Sequence, residues 1–110
     1  MAVHSTQLGA VQNAAIGLHT IYTVPSGKRT IVKSVWLRNT AAAAQTATIR
    51  FNLASGAIVQ LFVPLAASPG AGSSVLLSPW VVLNVGDVFQ LGASATGIDG
   101  IASGAELSLV

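Results

Sequence analysis

Charge is what this sequence most lacks: five bases and three acids make up 7% of a 110-residue chain that is 52% hydrophobic. Ordinary soluble domains carry roughly a quarter charged residues. A globule of this mass exposes roughly 5,600 Å² by the usual surface scaling, and so few charges cannot cover it. The remaining surface has to be Ser, Thr, Asn, Gln, backbone and a good deal of apolar area. Large exposed apolar patches mark surfaces that meet a partner. Cysteine is absent altogether, which excludes disulfides and thiolate metal sites and leaves the redox compartment open. Long apolar runs are missing too. The richest, Ala57 to Ala67, is interrupted by Gln60 and Pro64 and falls short of the ~20 residues of a membrane helix. The stretch from Met1 to Gln7 has neither the basic start nor the apolar core of a secretory signal. The length leads us to expect one domain, with a two-layer core.

Catalytic chemistry is equally scarce. His4 and His19 stand at no metal-ligand spacing to each other or to an acid, so no metal and no cofactor is expected. Asp87 follows Gly86 and Asp99 precedes Gly100, positions where a short carboxylate bonds nearby backbone N–H groups in a turn. Glu106 is a candidate partner for a base from the first half. Glycoside hydrolysis would need two of these three acids brought together, and no phosphate-cradling glycine motif is present. The serines have no adjacent His or acid to activate them. We therefore expect no enzyme.

The few charges are segregated. Lys28, Arg29, Lys33, Arg38 and Arg50 fall in the first half; Asp87, Asp99 and Glu106 fall in the last quarter. Chance explains this with so few charges. The functional reading is a basic face on one subunit meeting an acidic face on another, which would set register more than affinity. Nucleic acid is not an expected partner, because the basic stretch offers few aromatics for stacking and little total charge.

What is present is period two. From about residue 20 onward, alternating runs are bounded by Gly, Pro, Ser and Asn, the pattern of a β-sandwich or barrel. Leu18 to Val24 reads as a strand ended by Pro25-Ser26-Gly27, and Arg29 to Asn39 as a strand apolar on both faces, with Ile31, Val35 and Leu37 opposed to Val32, Ser34 and Trp36. Thr40 to Gln45 is a loop or a single turn. Thr46 to Leu53 alternates, with Ala47, Ile49, Phe51 and Leu53 inward, and Ser55-Gly56 turns it into a hairpin with Ala57 to Pro64. Residues 66–74 form a small-residue loop. Val75 to Leu77 and Trp80 to Leu83 are short strands split by Ser78-Pro79; Val88 to Ala93 and a final segment with a bulge at Ser103-Gly104 complete the count. The expected fold is all-β, a single antiparallel sandwich of about eight strands, jelly-roll-like or immunoglobulin-like, over residues 18–110.

Residues 1–17 are expected to form an N-terminal arm. Leu8, Val11, Ala15 and Leu18 recur at helical spacing, but Gly9 and Gly17 favour an extended segment equally. Such an arm is expected to be pinned by its own domain or by a neighbour. Trp36 and Trp80, with Tyr22, suit either core and interface packing or an aromatic platform for a sugar.

The order Tyr22-Thr23-Val24-Pro25-Ser26-Gly27-Lys28, then Ile31-Val32-Lys33-Ser34-Val35 with Asn39, Leu83-Asn84-Val85-Gly86-Asp87 and Ile101-Ala102-Ser103-Gly104-Ala105-Glu106 resembles small β-sandwich virion proteins of tailed bacteriophages and related gene-transfer particles. The resemblance implies a structural role: a capsid decoration (cement) protein, a head-fibre base or a tail component. Our first expectation is a decoration protein, a homotrimer seated on the outer capsid and stabilising it, with the major capsid protein or another virion protein as partner. It would be made in the host bacterial cytoplasm and located on the virion, without membrane contact. The residues expected at the partner interface are Leu8, Val11, Ile16 and Leu18 of the arm, with Lys28, Arg29, Arg38 and Arg50 setting register. The alternative is a receptor- or glycan-binding module of a head fibre or tail.

Overall fold

A computed structural model describes residues 3–108 as nine antiparallel strands: β1 (Val3–Ala14), β2 (Gly17–Thr23), β3 (Lys28–Asn39), β4 (Gln45–Asn52), β5 (Ile58–Leu65), β6 (Ser74–Leu77), β7 (Val81–Leu83), β8 (Val88–Ala93) and β9 (Ile98–Ser108). One sheet runs β1-β9-β3-β6, with β7 also on β3; the other runs β2-β8-β4-β5. β6 pairs with Val35–Arg38 of β3 and β7 with Thr30–Val32. The two are therefore one strand, interrupted at residues 78–80. Pro79 explains the break, since it has no N–H to give the ladder. Counted that way there are eight strands in two four-stranded sheets, in the order of a jelly roll. Among the described residues no helix is long and apolar enough to cross a membrane.

β4 follows its sequence alternation: Gln45, Ala47, Ile49 and Phe51 are buried while the residues between them are half-exposed. Phe51 stacks on Phe89 of β8 at 5.2 Å between centroids. β3 does not follow the expected alternation. Val32, Val35 and Leu37 are all fully buried, because the register slips by one residue between Val32 and Ser34. Lys33 is the extra residue, so parity reverses there and Ile31, expected on one face with Val35 and Leu37, lies half-buried on the opposite, outer side. The bulge expected at Ser103-Gly104 thus has its extra residue on the neighbour. β1 slips at the same level, with Leu8 extra between Gln7 and Gly9.

A kink line therefore crosses the whole first sheet, from Leu8 through Ser103-Gly104 and Lys33 to the break at residues 78–80. Gly104 sits at its centre, and a Cβ there would collide with the Ile31 carbonyl oxygen. Bulges sharpen twist and bend a strand, and here they act in concert across neighbouring strands.

Of the two conformations considered for residues 1–17, the extended one is found over Val3–Ala14, residues 1–2 lying outside the described residues. β1 is the edge strand of the first sheet, paired with β9 from Val3↔Leu107 to Ala14↔Ile98. Ala15 and Ile16 then carry the chain directly to β2, the edge of the second sheet, so that side of the sandwich is closed by a corner. The opposite side is different. β5 and β6 are joined through residues 66–73 at one end only, where Ala66 N–H donates to Gly72 O and Ser68 N–H to Ala41 O. Val63 and Leu65, near that end, are buried; Val59 and Leu61, on the same face of β5, are more than half exposed.

Candidate functional site

The open side of the sandwich is a rim of apolar side chains. Inner-face positions Val59 and Leu61 stand opposite Phe51 and Ile49 in the β4–β5 register. With Leu77, Ser78, Pro79 and Val81 they line a cleft of about 330 Å³ that contains no charged residue. On the outer face of the same strand, Ile58 and Phe62 are also more than half exposed. An ordinary two-sheet core would cover the inner pair; the break in the opposite strand leaves it open.

The first sheet presents a second apolar area on its outer face. Ala10, Ile101, Trp36 and Leu76 form one cross-strand row, with Leu76 66% exposed. Beside the row, Trp80 projects from the strand break, 62% exposed. Its backbone has φ +51°, a left-handed conformation that is strained for a bulky residue. Both tryptophans carry a cation: Lys33 Nζ lies 5.3 Å from the Trp80 centroid and the Arg38 guanidinium 5.6 Å from that of Trp36. A third feature is a shallow depression on the second sheet, over Gly92 and Thr48 and flanked by Leu18 and Phe62.

The residues singled out from sequence are scattered over these surfaces. Leu8 is buried in the core and Val11 packs against it, so in the folded chain Leu8 stabilises its own domain instead of reaching a partner. The cause is the β1 bulge, which turns Leu8 inward. Ile16 and Leu18 are exposed, Ile16 at the β1–β2 corner and Leu18 beside the depression. Lys28 donates to Ser108 Oγ at 3.2 Å, Arg29 to Asn84 Oδ1 at 3.2 Å and Arg50 to Asn52 Oδ1 at 3.0 Å. Arg38 forms an ion pair with Asp99 at 2.7 Å. Sequence reasoning did not single out Ile58, Val59, Leu61 and Phe62 as surface residues, because an alternating apolar strand reads as core until its place at a sheet edge is known.

The acids are all engaged within the chain. Asp87 is buried, with its two oxygens accepting Ala54 N–H and Asn84 N–H at 2.8 Å each, the turn role expected of it. Asp99 was expected in a turn as well but lies in β9; it accepts Asn13 N–H at 2.7 Å and pairs with Arg38. Glu106 accepts from the Tyr22 hydroxyl, not from a base. Burial, with the Glu106 hydrogen bond, pushes the Tyr22 hydroxyl up to about 12. An acidic face free to meet the basic face of a sister subunit is therefore not formed. Asp99 and Glu106 also lie seven residues apart along one strand, roughly 23 Å at strand rise, too far to act as a catalytic pair. Among the described residues no group of three His, Cys, Asp or Glu is placed to hold a metal ion.

No protein-family model and no curated protein matches the sequence. Solved structures do share the fold. A Bacillus endospore appendage protein, from a family of disulfide-linked pili, superposes with TM-score 0.59 at 15% identity, covering 98% of this chain and 89% of that one. The Drosophila NLP core, a pentamer-forming histone binder, gives 0.56 at 13%, covering 96% and 98%. A chain of the acid-stable capsid of Helicobacter pylori bacteriophage KHP30 gives 0.54 at 10%, covering 99% and 88%. At these identities the likeness is one of fold.

Proposed function

We propose that this chain is a structural virion protein of a tailed bacteriophage, and specifically a capsid decoration protein that binds the outer capsid and stabilises it. The observation that carries the reading is the exposed apolar surface: the β5 rim on one side, and Leu76, Trp80 and Val82 on the outer face of the first sheet. With the acids engaged internally and only eight charges in all, these patches are suited to burial against other proteins. The fold is shared with a phage capsid chain, a pilus subunit and a pentamer, which supports assembly as the setting. Lys28, Arg29 and Arg50, whose side chains donate to neutral groups of their own chain, would meet carboxylates of the capsid protein, and Ile16 and Leu18 would add contact area. Three copies gathered around an axis by head-to-tail contacts would give the homotrimer.

Particles assembled without this chain test the proposal. Heads of normal size should form, lose their contents at a lower temperature, and regain resistance when the purified chain is added back. Heads whose heat resistance is unchanged by its absence would exclude the decoration role.

Trp80 supports a second reading, a glycan-binding module at a fibre or tail. An exposed tryptophan held at positive φ would serve as a stacking platform once Lys33, which lies over the ring, moves aside. Oligosaccharide titration with Trp80 emission as readout separates the two readings.

A further inference from the structure

We propose that β5 pairs with β5 of a second copy, antiparallel, across a two-fold axis centred on Gln60. The β4–β5 ladder fixes which backbone groups are available. Leu53 N–H donates to Ala57 O at the base of the hairpin, and pairing continues without a slip from Asn52↔Ile58 to Gln45↔Leu65. In an antiparallel ladder the bonded positions alternate, so Val59, Leu61 and Val63 direct their N–H and C=O groups to β4. Ile58, Gln60 and Phe62 direct theirs outward, where the described residues supply no further strand. Pro64 falls on the same outward parity; having no N–H, it ends the usable edge.

The three free positions are self-complementary. With the axis at Gln60, Gln60 faces Gln60 of the second copy, while Ile58 faces Phe62 of the second copy and Phe62 faces its Ile58. All six outward groups on each strand then have partners. On the inner face Val59 stands beside Leu61 of the second copy, so apolar meets apolar on both faces. A shift of the axis to any other residue leaves some of these groups unpaired or brings Pro64 into the ladder.

Between Ile58 and Phe62 nothing on the strand opposes this contact. Free edges are normally blunted by charge, proline or a bulge, and Ile58 to Phe62 has none of these. The nearest charge is Arg50, opposite Gln60 in β4. Two copies of it would lie three strand spacings apart, roughly 14 Å, beyond the screening length at physiological salt. An isologous contact also closes on itself, whereas head-to-tail use of an uncharged edge propagates into fibres. The contact is separate from the proposed homotrimer, and it is tested on the purified chain without any particle, so its failure leaves the virion reading standing.

The absence of cysteine makes the register directly readable. Residues facing each other in a bonded antiparallel pair have Cα atoms about 5.5 Å apart, within disulfide reach. Gln60→Cys should give a covalent dimer on a denaturing gel after mild oxidation, formed many-fold faster than with Ile58→Cys, whose counterpart is Phe62. The double variant Ile58→Cys/Phe62→Cys should crosslink as fast as Gln60→Cys. Gln60→Lys, which sets two like charges face to face, should keep the circular dichroism of the wild type and weaken its self-association several-fold in sedimentation. Failure of Gln60→Cys to crosslink, or equal rates for Gln60→Cys and Ile58→Cys, overturns the proposal.

Discussion

The Tyr22 hydroxyl of the second sheet bonds the Glu106 carboxylate of the first, and the same oxygen lies 2.9 Å from the Thr30 hydroxyl. This is a polar tie between the two sheets, set apart from the Asn39–Gln45 contact that joins β3 to β4. Tyr22 is the one tyrosine in the chain, which makes its titration easy to isolate.

Burial first, and then the Glu106 hydrogen bond, raise Tyr22 from 10.0 to about 12. Below pH 10 both the folded and the unfolded chain keep the phenolic proton, and the tie contributes fully. Between about 10 and 12 the unfolded chain releases the proton while the folded chain holds it, so stability falls as pH rises through that window. Urea midpoints measured across it should fall more steeply for the wild type than for Tyr22→Phe. At neutral pH that substitution should cost about 1–2 kcal/mol, because it leaves the buried Thr30 hydroxyl without its partner. Parallel pH profiles for the two proteins would contradict the assignment.

Gly104 should not tolerate alanine. The added Cβ would strike backbone, the Ile31 carbonyl oxygen, which cannot swing aside as a side chain could. Relief requires the β3 and β9 strands to part at the centre of the kink line. We expect Gly104→Ala to lower the urea midpoint by an amount corresponding to about 2–4 kcal/mol. Ser103→Ala, next to it, loses only the 2.9 Å contact with Ser34 Oγ and should cost about 1 kcal/mol.

That kink line also marks where the chain was legible from sequence and where it was not. β4 could be read residue by residue, because an uninterrupted strand keeps its period of two and only its neighbours decide the rest. The turn chemistry of Pro25-Ser26-Gly27 and of Asn84 to Asp87 was equally readable, being local. The faces of β3 could not be read past Lys33, because its bulge sits against Gly104, over seventy residues away in sequence, and leaves no local signature in β3. The inward turn of Leu8 was hidden for the same reason. The β5 rim was hidden for a different reason: whether Val59 and Leu61 are covered depends on strand order and on the break at Pro79 in the other sheet.

Asn39 makes four side-chain hydrogen bonds. It is fully buried; its amide donates to Ala43 O at 2.9 Å and Ala66 O at 3.0 Å, while Oδ1 accepts Ala41 N–H and Gln45 Nε2–H at 2.9 and 2.8 Å. One side chain thus joins the β3–β4 loop to the end of β5. Asn39→Ala strands donors and acceptors on both sides and should destabilise by about 3 kcal/mol. Asn39→Asp keeps the shape but turns an oxygen toward two carbonyls, and should be worse. Denaturant unfolding of both variants checks the order; equal stability to the wild type would mean the four bonds do not form.

Trp80 and Trp36 report on different parts of one face, and their responses should separate the free chain from the assembled one. In Trp36→Phe the remaining Trp80 is largely exposed, so its emission should be red-shifted and strongly quenched. Iodide should outperform neutral acrylamide relative to a free indole, because the Lys33 ammonium near the ring raises the local anion concentration; Lys33→Gln should remove that advantage. In Trp80→Phe the half-buried Trp36 should be quenched less. If this face is what the chain buries on a particle, quenching of the Trp36→Phe protein should drop several-fold on incorporation. A sugar platform would instead respond to oligosaccharide in the free chain and stay quenchable on the particle. Protection of Trp80 already present in the monomeric chain would contradict the exposed position and remove both readings of this face.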